Sequence, residues 1–307
     1  MQRRDFIKIG ATGLAANFVA ASVLKSSLFA QQDKSTVWET QGAASVSVKA
    51  LFNALGGLDK LVTGDPGKAI VLIKPNLCVA APSDRATTTS PAVIEALCDY
   101  LTTSGVKKII ITDHTLREAT TKPQQYRIAE ISEKYPQVKF ILANQQRFYK
   151  PVPVQGKVLK EVQILKMLSR ANLVINLATA KHHSATHVSL SIKNLMGMIW
   201  DRTAFHTQLD LSQAIGDLAL AIRPHIHLVD ASRILLNQGP IGPGPVATDD
   251  RLFAAFDPVA LDAVVVSRYN FGGKSLSARE ISHIRAAHRN GVGEIDLNKI
   301  EQIKIEA

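Results

Sequence analysis

Cysteine is nearly absent from this chain: Cys78 and Cys98 are the only two among 307 residues. Four thiolates are the usual complement of an iron–sulfur cluster, so an all-cysteine cluster is excluded. A disulfide between the two is allowed in an oxidising compartment, but two buried free thiols are the expectation. Aromatic residues make up only 6% of the chain and do not interleave with basic ones, which argues against a nucleic-acid partner. Nucleotide-binding signatures are missing as well. "GDPGKA" is no P-loop, because its glycine spacing is wrong and Ala69 follows the lysine where Ser or Thr is needed. No Gly-x-Gly-x-x-Gly follows a predicted strand, and there is no "HExxH", no strong Ser/His/Asp signature, no repeat and no heptad run.

What is present is ample apolar material, 46% hydrophobic against 20% charged residues, so the core needs no metal or disulfide staple. The opening "MQRRDFIKIGATGLAANFVAASVLKSSLFAQ" differs in kind from the rest. Arg3, Arg4, Phe6 and Lys8 precede a mildly apolar Gly/Ala-rich stretch, a pattern that resembles a twin-arginine export signal over residues 1–30. Cleavage after Ala30 or retention as an anchor are the two outcomes this allows. The expectation is the twin-arginine translocase as a partner in export and a periplasmic location, with residues 31–307 forming a single α/β domain. Loss of Arg3, Arg4, Lys8 and Lys25 against Asp5 lowers the formal net charge of +10 by three. The mature chain stays basic, which suits an anionic ligand or a membrane surface as well as plain solubility.

Past the signal, "VSVKALFNALGGL" reads as a helix, "AIVLI" as a strand buried on both faces, and "SPAVIEALCDYLTTSG" as a helix with Ser90 as its N-cap and Pro91 at its first position. Strands follow at "VKKIIITDH", "VKFILA", "NLVINLA" and "IHLVD", and helices over 123–135, near "ILKMLSRA", over 188–199, across "LDLSQAIGDLALAI" and from "DPVALDAVVVSRYN". "KPVPVQGKVLKE" reads as an edge hairpin, "NQGPIGPGPVATDD" as a rigid turn-rich loop, and Asp257 as a helix N-cap. The alternation predicts an α/β protein with a mainly parallel sheet and helices on both faces.

Four strands then end alike. "AIVLI" runs into Lys74 and Asn76, "KIIIT" into Asp113 and His114, "NLVINLATA" into Lys181 and His183, and "IHLV" into Asp230. Parallel strands place these ends on one edge, where open α/β folds bind ligands. Two chemistries suit such a rim. Lys74, Lys181 and Lys193 form a cationic cradle for phosphate or carboxylate, with Asn76, Asn194 and the hydroxyls of Thr87, Thr88 and Thr89 as donors. A lysine among other cations also has a lowered pKa and serves as a base or imine-forming amine. Alternatively His183, His187 and His206, with Asp113 or Asp230, bind zinc or ferrous iron, His183 and His187 sharing a face if the helix starts early.

"VLIKPNL", "TTTSPAVIEAL", "IIITDH", "KHHSATHVSLSIKNLMGM", "IHLVDASRILLNQGPIGPG" and "FDPVALDAV", in that order, resemble the family catalogued as domain of unknown function 362, over roughly residues 69–270. The resemblance implies an α/β domain with Lys74, Asn76, Lys181, His183, Lys193, Asn194, Asp230 and Asp257 at motif positions. It implies no reaction. Some relatives carry ferredoxin-like cysteine clusters that this chain lacks. Where the family reads Pro-Lys-x-Lys-x-His, this chain has "ATAKHH", with one lysine absent.

The combined expectation is an exported enzyme acting on a small anionic substrate. Lys181 or His183 does proton transfer, with Asp113 as a further catalytic candidate; Lys74 and Lys193 neutralise charge, Asn76 and Asn194 orient the ligand, and Thr88 joins them in binding it. A divalent metal held by His183, His187, His206 and Asp230 is the assisting cofactor in one version. The alternative is a non-catalytic accessory protein that binds a metal or an exported redox partner and helps assemble an exported complex.

Overall fold

Strand β2 (Ile70–Pro75) sits near the middle of a large sheet because its apolar residues feed two cores at once. Leu72 packs into one core while Val71 and Ile73 pack into the other. Such a strand, buried on both faces, needs helices above and below it. The computed structural model describes residues 35–307 except 63, 80 and 116–126; the twin-arginine segment expected over residues 1–30 lies outside the described residues.

In chain order the strands are β1 (Ser35–Gln41), β2, β3 (Lys108–Asp113), β4 (Val138–Leu142), β5 (Tyr149–Pro153), β6 (Glu161–Leu165), β7 (Leu173–His183), β8 (His187–Ser189), β9 (Ile226–Leu235), β10 (Val246–Ala255) and β11 (Ile300–Glu306). The main sheet runs β11-β1-β10-β9-β7-β2-β3-β4, with β8 paired to β7. The five strands β9, β7, β2, β3 and β4 are mutually parallel, whereas β10 is antiparallel to both its neighbours. The expected α/β architecture with a mainly parallel sheet is therefore the observed one. β5 and β6 form a separate antiparallel pair, the hairpin read from "KPVPVQGKVLKE".

Helices α1 (Ala44–Ala54), α2 (Pro91–Thr103) and α3 (Ile128–Lys134) contribute Leu51, Leu97 and Ile131 to one core. On the other face lie α4 (Ser191–Asn194), α5 (Leu211–Ala221), α6 (Pro258–Arg268) and α7 (Ser282–Arg289), with Ile192, Leu218, Val264 and Ile284 in the second core. None of the described helices is long and apolar enough to cross a membrane. Cys78 and Cys98 are free thiols. Asp257 caps α6 as expected, its Oδ1 accepting from the amides of Val259 and Ala260. Ser90 occupies the N-cap position of α2 but makes no side-chain cap bond.

Two helical expectations are corrected. The stretch near "ILKMLSRA" is strand β6 followed by a single 3-10 turn over Lys166–Ser169, because its apolar residues pair with β5. Residues 188–199 do not make one continuous helix. β7 turns back through a hairpin in which His187 takes a left-handed φ of 64°. The helix then starts only at Ser191, where the carboxylate of Asp262 receives the amides of Ser191 and Ile192 at 2.8 and 3.0 Å. His183 and His187 therefore face each other across the hairpin as antiparallel partners and do not share a helical face.

Candidate functional site

The parallel run of β9, β7, β2 and β3 brings the ends of these strands to one rim, and there the polar residues form a connected, largely buried network. At its base lies Asn176 in β7, whose amide nitrogen donates to the Ser191 carbonyl at 2.9 Å and also meets Ser191 Oγ and His227 Nδ1. His227, fully buried, is held far below the ordinary imidazole range, at about 3, by desolvation. Burial likewise lifts the Asp262 carboxyl that caps α4 to about 8, against the opposing pull of its two amide donors.

Asn194, at the end of α4, is the hub. Its Nδ2 donates to Asn176 Oδ1 at 2.8 Å, and its Oδ1 accepts from Lys74 Nζ at 2.5 Å and from Asn76 Nδ2 at 3.1 Å. Lys74 also forms an ion pair with Asp113 at 3.1 Å, while the second Asp113 oxygen accepts from the Leu77 amide at 2.7 Å. Burial lowers the Lys74 pKa, and Asp113 opposes that shift. The close approach depends on Gly197: a Cβ there would fall within 3.0 Å of Asp113 Oδ1 and of Lys74 Nζ.

Lys181 is equally committed. Its Nζ donates to the Thr87 carbonyl at 2.6 Å and to Asn76 Oδ1 at 3.1 Å, with Cys78 Sγ and the Pro240 carbonyl each at 3.4 Å. The loop read as a rigid turn thus reaches the rim through Pro240. Thr89 Oγ1 accepts from the Asn76 amide and donates to the Leu177 carbonyl; Thr88 is buried between Thr87 and Thr89.

Lys193 stands apart. It is 8% exposed, and among the described residues the hydrogen-bonding neighbour of its ammonium is the thioether of Met196 at 3.4 Å, a weak acceptor. Burial, reinforced by the charges of Lys181, Arg202 and Lys74 and opposed by Cys78, lowers its pKa to about 8. Arg202 is fixed in turn by donating to the carbonyls of His114 and Thr115. His183 feels Lys193, Lys181, His206 and His283 on top of its own desolvation and is pushed down to about 2. Its Nδ1 accepts from the Ala185 amide at 3.1 Å, so the neutral ring carries its hydrogen on Nε2. His206, on the short helix Thr203–Thr207, is also lowered by burial and by Lys193. His283, completely buried in α7, has no hydrogen-bond partner on either ring nitrogen among the described residues and sits at about 3 through desolvation and the charge of Lys193.

The structure joins Lys74, Asn76, Asp113, Lys181 and Asn194 through hydrogen bonds and an ion pair, with Lys193 close enough to sense two of these lysines and His183 close enough to sense Lys181 and Lys193. It does not assemble the expected metal set. Among the described residues no group of three or more His, Cys, Asp or Glu side chains is arranged to hold a metal ion. His183 and His187 face each other across a hairpin instead of a helical turn, and Asp230 is taken up by Ser90 and Ser232. Asp113, read as a catalytic candidate, is the counterion of Lys74. A cavity of about 440 Å³ lined by Pro153, Val154, Gln155, Leu220, Ala221 and Asn290 includes none of these residues. Sequence reading missed Asn176, Gly197, Arg202, Asp262 and His283. Asn176 and Asp262 do carry a signal, each being a single polar residue inside an apolar run.

A thylakoid-associated protein of Synechocystis sp. is 25% identical to this chain over 236 residues, spanning 73% of the chain and 69% of the relative. The lactate racemase apoprotein from Thermoanaerobacterium thermosaccharolyticum superposes with a TM-score of 0.42 at 13% identity over 83% of this chain and 56% of the racemase. The chain thus spans little more than half of that enzyme's length, and the likeness is too loose to bear on the rim residues. The model of the domain of unknown function DUF362 matches residues 71–267, a stretch that runs from β2 through α6 and includes every residue of the lysine–asparagine network, and the chain belongs to that family.

Proposed function

We propose that the rim binds a small anion bearing a phosphate or carboxylate group, and that Lys193 is its principal anchor. One observation carries this reading: Lys193 is a nearly buried ammonium with a thioether, not an oxygen, as its hydrogen-bonding neighbour among the described residues. An unpaired charge in such a place is costly, and an incoming anion offsets that cost. Lys74, Lys181 and Arg202 add positive potential, while the Asp113 carboxylate is neutralised by Lys74. His183, with Nδ1 occupied, offers an Nε2–H donor and is assigned that role in preference to general base. Asn76 and Asn194 hold the lysines in register, and Thr88 lies in the loop that closes over Lys181.

The test is thermal unfolding in sodium phosphate against sodium chloride at matched ionic strength. Phosphate is expected to raise the midpoint of the wild-type protein and to leave Lys193→Met unmoved. Equal shifts in both proteins would remove Lys193 from the site.

The Arg3, Arg4, Phe6 and Lys8 pattern supports export of this activity through the twin-arginine translocase to the periplasm. A reporter fused to residues 1–30 is expected to be exported, and to stay in the cytoplasm once Arg3 and Arg4 are both replaced by Lys.

A further inference from the structure

We propose that Lys193 is a carbonyl-condensing amine, which forms an imine with a small oxo acid whose carboxylate is held by the neighbouring cations. This rests on the anion site above and names its substrate class.

The three rim lysines are not equivalent. Lys74 is locked between Asp113 and Asn194, and Lys181 spends its hydrogens on the Thr87 carbonyl and Asn76. Lys193 meets only a sulfur, so its nitrogen lone pair, once unprotonated, is not engaged by a donor among the described residues. The groups whose charge reaches it come from several elements: Cys78 and Lys74 from β2 and the loop after it, Lys181 and His183 from β7, Arg202 and His206 from the segment after α4, and His283 from α7. All the nitrogen groups in this set are cationic or are neutral imidazoles. Desolvation, reinforced by the cations Lys181, Arg202 and Lys74 and opposed by Cys78, favours the unprotonated amine, while the same cations attract an anionic substrate, a combination that a surface lysine lacks. With a pKa of about 8, a useful fraction of the amine is neutral close to neutral pH.

The step balances without an oxidant or reductant. The Lys193 nitrogen attacks the carbonyl carbon, forming the C–N bond, and the carbonyl π pair moves to oxygen. The oxygen takes up two hydrogens, equal in number to those the amine loses, and leaves as water, giving C=N. His183, donating from Nε2, is the group available to stabilise the developing oxygen charge.

The experiment incubates the full chain with pyruvate and sodium cyanoborohydride, then locates adducts by peptide mass spectrometry. Acetone supplies the carbonyl without the carboxylate, and acetate the carboxylate without the carbonyl. A reduced pyruvyl adduct at Lys193 is expected, several-fold above that at exposed lysines such as Lys304. Its yield should rise as pH climbs through about 8, acetone should give little, and phosphate should suppress it. Because the site is mapped on the wild-type protein, no variant has to fold. If pyruvate and phosphate stabilise the protein but Lys193 is unmodified, the imine is wrong and the anion site stands. If neither stabilises it and no adduct forms, both are wrong.

Discussion

Lys74 Nζ and Asp113 Oδ1 lie 3.1 Å apart at the ends of adjacent parallel strands, with both side chains almost wholly shielded from water. Neither group has escaped desolvation; each is tolerable because the other is there. The pair also fixes the start of the loop after β2, because the second Asp113 oxygen holds the Leu77 amide.

Breaking this pair from one side is expected to be severe. Asp113→Ala leaves a buried ammonium with Asn194 as its remaining neutral partner, and a loss of about 3–5 kcal/mol is expected by urea denaturation. The double variant Lys74→Met/Asp113→Leu should lose markedly less than the sum of the two single variants. Additive losses would mean that the two groups do not compensate each other.

Gly197→Ala tests the same contact from above. The added methyl would overlap both Asp113 Oδ1 and Lys74 Nζ, so the pair must separate or the 3-10 turn at Leu195–Met198 must shift. A loss of roughly 1–3 kcal/mol is expected, the range for overpacked sites. Phosphate stabilisation should weaken with it, because Asn194, which bonds Lys74, directly precedes that turn. Unchanged stability and phosphate response would show that the turn yields freely.

Much of this arrangement is legible in the sequence because parallel strands impose a direction. Once "AIVLI", "KIIIT" and "NLVINLATA" are read as parallel, Lys74, Asp113 and Lys181 have to fall on one edge, and they do. The path after Lys181 was not legible, because the apolar spacing of Val188, Ile192, Leu195 and Met196 suits a helix. A hairpin and a carboxylate from 71 residues further along the chain, Asp262, decide the outcome instead. Spacing also misled over the metal ligands, since His183 and His187 pair across strands. His283 gave no signal at all: it enters from α7, far along the chain, and only packing brings it beside Lys193.

The buried histidines predict acid sensitivity. His183 is depressed to about 2, and His227 and His283 to about 3, from an ordinary 6.5. In the unfolded chain each takes up a proton as pH falls below about 6.5, while the folded protein resists doing so. Their contribution to stability is complete above 6.5 and drains away toward 3. Urea midpoints measured across this window should fall steadily. His283→Leu removes two unpartnered buried nitrogens, so it should hold or raise stability and flatten the decline; an unaltered slope would remove His283 from the cause.

Lys193 produces a slope of the same origin, burial of a base, at alkaline pH. Its folded pKa of about 8 lies below the ordinary 10.5, so between these values the unfolded chain binds more protons and stability rises with pH. An anion beside the amine reverses this preference by favouring the ammonium. Midway through the window, where inorganic phosphate is already a dianion, binding should therefore draw a proton from the buffer. Titration calorimetry in buffers of different ionisation enthalpy reads that uptake directly. A fraction of a proton per phosphate is expected for the wild-type protein and none for Lys193→Met. Phosphate that binds the wild-type protein with no proton uptake would place the anion away from the Lys193 amine.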